Sequence, residues 1–327
     1  MHRSRLAEAY FKSLALPGFE VSSSGVEALV YTPHQKSVFT NEVVKHHPEL
    51  KSTFNPARTQ TSTELLEEQD VVVCLDKSVF EDAIRWYGLD SRKTQVWHVT
   101  DIDRRVHHVG KSLSDWPVVA GFEEDIFQKI RRECNKLAAY LTSTSWVDIV
   151  DGQNKSIGMR LPIAWANDRG LWHRGCHVVV VTADGKFVVE KRSKNVVFAP
   201  GLLDITLGGG IDSGETPLQA AVRETHEELG VHVSAGTFKP LFIKRWTSYH
   251  PHYKKLTRCF LYTYFVQLPA SAKTFTPQLS EVESLAFLSE RQVVRLLRIH
   301  RLKHIGRLQG DFVYMAKAVT QSRQHLK

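Results

Sequence analysis

Residues Gly209 to Val231 read GGIDSGETPLQAAVRETHEELGV, and this stretch decides the C-terminal half of the chain. Thr216 is a good N-cap, Pro217 suits the first helical position, and Gln219 lies where it completes a capping box. Gly230 falls where a left-handed residue ends a helix. The spacing therefore predicts a helix over 216–229. At about 100° per residue, Leu218, Ala221, Val222, Thr225 and Leu229 form one stripe, expected to pack on a sheet. Glu224, Glu227 and Glu228 are then expected to project from the opposite side. Carboxylates at i, i+3 and i+4 repel one another by a few tenths of a kcal/mol per pair. A divalent cation reverses that sign, and hard oxygen ligands favour Mg²⁺ or Mn²⁺.

Working outward, Val178–Thr182 and Phe187–Lys191 flank Ala183-Asp184-Gly185-Lys186, an Asp-Gly turn signal that predicts a β-hairpin. Strands are expected at Phe238–Trp246 and Thr257–Gln267, and a last helix from about Glu290. This half reads as α+β. Before it, Leu141-Thr142-Ser143-Thr144-Ser145 is a small polar stretch after a helical run over 123–141, and it marks a boundary between a domain at 1–141 and one at 145–327. In the first half, helical patterns at Leu6–Leu14 and Lys77–Trp86 alternate with strand patterns at Val71–Leu75 and Thr94–Val99. That alternation predicts an α/β domain with a parallel sheet.

The 327 residues are enough for two domains, and the net charge of +8 suits an anionic small molecule. The positive charges form no dense block, so nucleic acid is not expected as a partner. Arg291, Arg295, Arg298, Arg301, Lys303 and Arg307 accompany Val294, Leu297, Leu302 and Ile305 and read as an amphipathic closing helix. Cys74, Cys134, Cys176 and Cys259 are far apart and form no CxxC pair, which fits a reducing cytoplasm. No apolar run approaches the roughly 20 residues of a transmembrane helix, so no membrane partner is expected.

The pattern Gly209-x5-Glu215-x7-Arg223-Glu224-x2-Glu227-Glu228-x-Gly230-Val231 resembles the Nudix box. Its one departure is Thr225, where an aliphatic residue is usual. The order of Trp146–Asp151, Leu171–His177, Lys191-Arg192-Ser193 and Phe198–Asp204 resembles the isopentenyl-diphosphate-isomerase-like branch of the Nudix proteins. The resemblance implies an α/β/α sandwich with a mixed sheet, and metal-dependent cleavage of a diphosphate linkage in a nucleoside diphosphate-X or related organic diphosphate. It further implies that Glu224, Glu227, Glu228 and the carbonyl of Gly208 or Gly209 hold Mg²⁺ or Mn²⁺. Glu224 or Glu227 would also place the attacking water, and Arg223 would orient the carboxylates. Glu215 would form a salt bridge or a contact outside the ligand set.

Isomerases of that branch need a cysteine acid before the box and a histidine after its first glycine. This chain has Leu207 and Gly209 there, so hydrolysis is expected and isomerisation is the alternative. Lys191 and Arg192 are expected to contact phosphate, and Glu281 to supply a further carboxylate. His173 and His177 are expected to be structural.

The segments His2–Phe11 and Phe19–Gly25 resemble the start of low-molecular-weight phosphotyrosine phosphatases. Arg3 and Ser4 match the last two positions of that family's Cys-x5-Arg-Ser/Thr loop. Asp101 aligns with its general acid, with Ile102 in place of the usual proline. The first strand and the nucleophilic cysteine have no counterpart here, and without a thiolate no phosphocysteine can form. The expectation is a misassigned start at Met1, with phosphatase activity in a longer product.

Overall fold

A computed structural model describes residues 2–26, 43–57, 59–100, 116–196, 200–250, 255–272, 274–303 and 317–326. The chain divides into two compact units, Met1–Thr144 and Ser145–Lys327.

In the first unit, α1 (His2–Ser13), α2 (Thr63–Glu67), β1 (Val72–Cys74), α3 (Lys77–Tyr87), β2 (Thr94–Val96) and α4 (Trp116–Thr142) follow one another. β1 and β2 pair in parallel, with Val72 opposite Thr94 and Cys74 opposite Val96. The crossover is α3, as a parallel pair requires. Asp76 caps α3 by accepting from the Val79 N–H, and Gly88 closes it at φ 65° in the left-handed region. Leu66, Cys74, Ala83 and Leu89 are buried together, with Val72, Phe80 and Val96 packed against them. α4 starts earlier than its apolar spacing suggested, and Tyr10 of α1 meets Phe127 of α4 edge-to-face at 5.9 Å.

Arg3, which the phosphatase resemblance places at the end of an anion-binding loop, lies in the first turn of α1 and is buried. Its guanidinium donates to Asp76 at 2.7 Å and to the Val99 carbonyl. Ser4 follows it, half-buried, and Asp101 lies outside the described residues.

The second unit is built on a mixed sheet. Its strands are β3 (Trp146–Val150), β4 (Ser156–Pro162), β5 (Trp172–Val181), β6 (Phe187–Arg192), β7 (Leu203–Asp204), β8 (Thr206–Leu207), β9 (Lys239–His250), β10 (Lys255–Gln267) and β11 (Val282–Leu288). The main path runs β11-β6-β5-β10-β9. β5 and β10 are parallel; β10–β9 and β11–β6 are antiparallel.

The helix predicted over 216–229 is α6 (Pro217–Leu229), and a short α5 (Ile163–Asp168) precedes β5. Helix α6 covers one face of the sheet, where Cys176, Val178, Val180, Leu207, Ala221 and Leu229 form a core. The opposite face buries Val179, Val181, Phe187 and Val189 against Val293 of α7 (Glu290–Lys303) and against Ala318 and Val319. Alternate residues of β5 and β6 thus serve opposite cores, as the period of two demands.

The hairpin at Asp184-Gly185 forms its turn, with Gly185 at φ 81°, but not the ladder expected. β5 and β6 share only the pair Val181–Phe187. Beyond it they part: β8 pairs with β5 through Leu207–Val178, and β7 pairs with β6 through Asp204–Glu190. Residues 203–207 satisfy the inner edges of both strands, and the opening between them is where the candidate site lies.

In the first unit, burial alone would raise the Asp76 carboxyl. Hydrogen bonds from the Val79 N–H, the Ser78 hydroxyl and the Arg3 guanidinium outweigh it and hold the carboxyl down at about 2. A folded-state value below the unfolded one means that the stabilisation is complete above about pH 3.9 and is lost as pH falls toward 2. Asp76→Asn keeps a good cap but removes the charge opposite Arg3. Urea unfolding of the full chain at pH 7 is expected to show the first unit weakened by roughly 2 kcal/mol. The same variant should show less destabilisation between pH 4 and pH 2 than the parent. An unchanged midpoint at pH 7 would refute this role for the pair.

Candidate active site

The carboxylate helix starts and stops as its sequence dictates. The Thr216 hydroxyl accepts from the Gln219 N–H, the Gln219 side chain accepts from the Thr216 N–H, and Gly230 takes φ 69°. Its faces differ from the expected split. Ala221, Thr225 and Leu229 are buried, but Leu218 and Val222 are only partly so. Glu224 and Glu228 are not on a solvated face: they are 7% and 2% exposed. Only Glu227 of the three reaches solvent. The hydroxyl that Thr225 adds to the shape of Val donates to the Ala221 carbonyl at 2.7 Å, so it is buried without an unmet hydrogen bond.

Burial without full compensation shows in the proton affinities. Burial pushes the Glu224 carboxyl up to about 7, against the pull of Arg223. Burial, then the neighbouring charges of Glu190 and Glu224, push Glu228 well above the ordinary carboxylate range. Arg223 is the main counterweight. Its guanidinium donates to Glu215 at 3.1 and 3.0 Å, to Glu224 at 2.8 Å, to Glu227 at 3.1 Å and to the Gly210 carbonyl at 3.0 Å. Of the two roles expected of Glu215, the structure shows the salt bridge, with Arg223.

Two glycines set how closely the loop approaches. Gly208 has φ 141°, and a Cβ there would stand 2.1 Å from the Cys176 carbonyl oxygen. A Cβ on Gly209 would stand 2.6 Å from Glu224 Oε1, so the absent side chain is what lets that carboxylate lie against the loop. The Gly208 N–H donates to Glu228 Oε1 at 3.4 Å, and the Gly209 carbonyl accepts from the Cys176 N–H at 3.0 Å.

The remaining expected residues divide. Arg192 donates to Glu190 at 3.0 Å and so borders the opening between β6 and β8. Lys191, its neighbour on a strand, points the other way and pairs with exposed Glu283 at 2.7 Å, so the two do not act as one phosphate contact. Glu281 is exposed, yet its charge raises Glu224, Glu228 and Glu190. His173 is buried, with Nδ1 3.3 Å from the Leu171 carbonyl, and burial lowers its proton affinity. His177 lies on the same face of β5, opposite α6.

One residue was not anticipated. Glu190 of β6 is 1% exposed and is pushed up to about 7 by burial and then by Asp204. Its signal in the sequence is a carboxylate that directly follows the apolar run Phe187-Val188-Val189 on the same face as Val188.

Among the described residues, no three His, Cys, Asp or Glu side chains enclose a metal ion as they stand, and Arg223 is paired with both Glu224 and Glu227. The donor set nevertheless fits a hard divalent cation. It is all oxygen, it carries more negative than positive charge, and the buried Oε2 atoms of Glu228 and Glu190 have no hydrogen-bond partner.

The two glycines predict different outcomes on substitution. Gly208→Ala meets backbone and is expected to cost roughly 3 kcal/mol, read as an early melting transition of the second unit. Gly209→Ala meets only the movable end of Glu224 and is expected to keep the parent melting temperature within a few degrees. Equal losses in both variants would contradict this geometry.

Residues 171–307 match the family model described as NUDIX domain. An uncharacterized Nudix hydrolase of Yersinia pestis is 44% identical over 86 residues, which are 26% of this chain and 47% of that protein. The uncharacterized Nudix hydrolase YfcD of Escherichia coli (strain K12) is 40% identical over 91 residues, 28% of this chain and 50% of that protein. The chain thus spans about half the length of the curated relatives it matches. A crystal structure of DR0079 from Deinococcus radiodurans aligns over 48% of this chain and 90% of its own, at 22% identity and a TM-score of 0.37. No helix among the described residues is long and apolar enough to cross a membrane. The carboxylate helix, its glycine loop and the strands β5 to β8 that carry them lie within residues 171–307, the segment that matches the NUDIX domain.

Proposed function

We propose that the second unit is a divalent-metal-dependent hydrolase that cleaves a diphosphate linkage in a nucleoside diphosphate-X or related organic diphosphate. The observation that carries this reading is the pair of buried helix carboxylates inside the NUDIX segment: Glu224, held by Arg223 against Gly209, and Glu228, which accepts from the Gly208 N–H. Glu224, Glu227, Glu228 and the Gly208 or Gly209 carbonyl would hold Mg²⁺ or Mn²⁺. The bound ion would neutralise the diphosphate, lower the barrier to water attack and stabilise the leaving phosphate.

The chain's own residues set the geometry. Arg223 fixes the rotamers of Glu224 and Glu227 through charge-assisted hydrogen bonds. Glu224, with its proton affinity raised by burial, is suited to accept a proton from the attacking water. Arg192, at the mouth between β6 and β8, supplies positive charge for the diphosphate. The isomerase alternative needs an acid at position 207. Leu207 is buried there in the apolar core, so protonation of an alkene has no donor from that position.

The test is a panel of nucleoside diphosphate-linked and prenyl diphosphates with Mg²⁺, read as inorganic phosphate after added alkaline phosphatase, against a blank lacking the chain. Glu227→Gln and Glu228→Gln are each expected to lower turnover about 100-fold, or about 2.7 kcal/mol of transition-state stabilisation. Turnover equal to the parent in both would refute the site. Gly209→Ala, folded but with Glu224 displaced, is expected to lose at least about tenfold in kcat, a loss of about 1.4 kcal/mol. Parent-like kcat there would mean that the Glu224 position does not matter.

A further inference from the structure

Glu190 has no part in the carboxylate set read from the helix, yet it is among the most deeply buried charged groups of the chain. It sits on β6, where its neighbours Val188 and Val189 serve the two cores of the second unit. A buried carboxylate without compensation costs several kcal/mol, so its partners decide its role.

Glu190 Oε1 accepts from Arg192 at 3.0 Å, and Oε2 has no partner. Glu228 repeats the pattern from helix α6. Its Oε1 accepts from the Gly208 N–H at 3.4 Å, and its Oε2 also has no partner. The two are joined by a short connection, because Asp204 pairs with Glu190 on β7 and Gly208 follows four residues later. Glu190 is also the strongest charged neighbour of Glu228, ahead of Glu224 on its own helix. Around the opening stand Glu190, Asp204, Glu224, Glu228 and Glu281, against Arg192 and Arg223. The anions outnumber the cations, and two of their oxygens are buried without a donor.

We propose that Glu190 is a strand-borne metal ligand: Glu190 and Glu228 together hold a hard divalent cation between β6 and α6, in addition to the set supplied by the helix alone. The inference rests on the metal-dependent reading above and deepens it. The two unpartnered Oε2 oxygens are the ligands, Arg192 and the Gly208 N–H orient the carboxylates through their other oxygens, and the divergence of β5 and β6 makes the room. The proposal differs from a carboxylic acid–carboxylate pair sharing one proton, which would need no cation.

The test uses the full chain and Mn²⁺ alone, with binding followed by calorimetry and by the electron paramagnetic resonance of free Mn²⁺. Glu190→Gln keeps the shape and removes the charge. It is expected to weaken one class of Mn²⁺ site by at least about tenfold, or to abolish it, and to reduce the Mg²⁺-induced rise in melting temperature. Glu283→Gln, at the exposed ion pair with Lys191, is expected to bind Mn²⁺ as the parent does.

Parent-like or tighter Mn²⁺ binding by Glu190→Gln would overturn the proposal in favour of the shared proton. Weakening by Glu228→Gln but not by Glu190→Gln would overturn it while leaving the hydrolase reading intact. A parent chain that binds no Mn²⁺ would overturn both. Should Glu190→Gln not fold, Mn²⁺-soaked crystals of the parent decide the matter. An anomalous peak in direct coordination with Glu190 supports the proposal, and one touching Glu228 alone overturns it.

Discussion

The Arg223 guanidinium joins Glu215, Glu224, Glu227 and the Gly210 carbonyl, and through them it fastens the glycine loop to the helix that follows. Helix α6 must meet two demands at once. Ala221, Thr225 and Leu229 have to pack on the sheet, and the same rotation carries Glu224 and Glu228 out of water. Hydrophobic packing of the helix therefore forces a desolvation cost onto its carboxylates, which Arg223 offsets only in part. The remainder appears as raised proton affinities at Glu224, Glu228 and Glu190. A bound cation would lower that cost, so ligand binding and the stability of this unit are linked by mass action.

The sheet is shaped to the same end. An uninterrupted β5–β6 ladder would bring strand backbone where the opening now lies. Instead the strands share one pair at the turn and then diverge, with residues 203–207 completing the inner edge of each. Gly208, at a φ few other residues tolerate, then crosses within reach of the Cys176 carbonyl, and Gly209 leaves space for Glu224. Backbone satisfaction, helix approach and carboxylate placement are solved by the same seven residues, 203–209.

What could be read from the sequence was local. The capping box at Thr216–Gln219, the left-handed Gly230 and the Asp184-Gly185 turn each depend on residues within one turn of chain, and each formed as expected. The divergence of β5 from β6 was not legible, because it depends on a segment almost 20 residues away that competes for the same strand edges. Glu190 was missed for the same reason: its burial depends on α6, which a strand pattern does not see. Two errors were avoidable. Residues 191 and 192 of one strand cannot face the same site, by the period of two. Glu224 and Glu228 each lie three residues from a buried position, Ala221 and Thr225, and so had to share part of the buried face.

The two units treat buried charge in opposite ways, and the contrast indicates which charge is structural. Asp76 receives the Val79 N–H, the Ser78 hydroxyl and the Arg3 guanidinium, and its carboxyl is held at about 2 despite burial. Such a group is closed: anion, cation and donors match, and a further ligand would have to break existing bonds. Glu228 and Glu190 are open. Each has one oxygen held in place and one without a donor, one on β6 and one on α6, with their proton affinities raised where that of Asp76 is lowered. Packing alone gives no reason to keep two mutually repelling carboxylates there, since apolar residues of similar volume would cost less. The proposed cation would offset this excess of buried negative charge, and the all-oxygen donor set suits a hard divalent one.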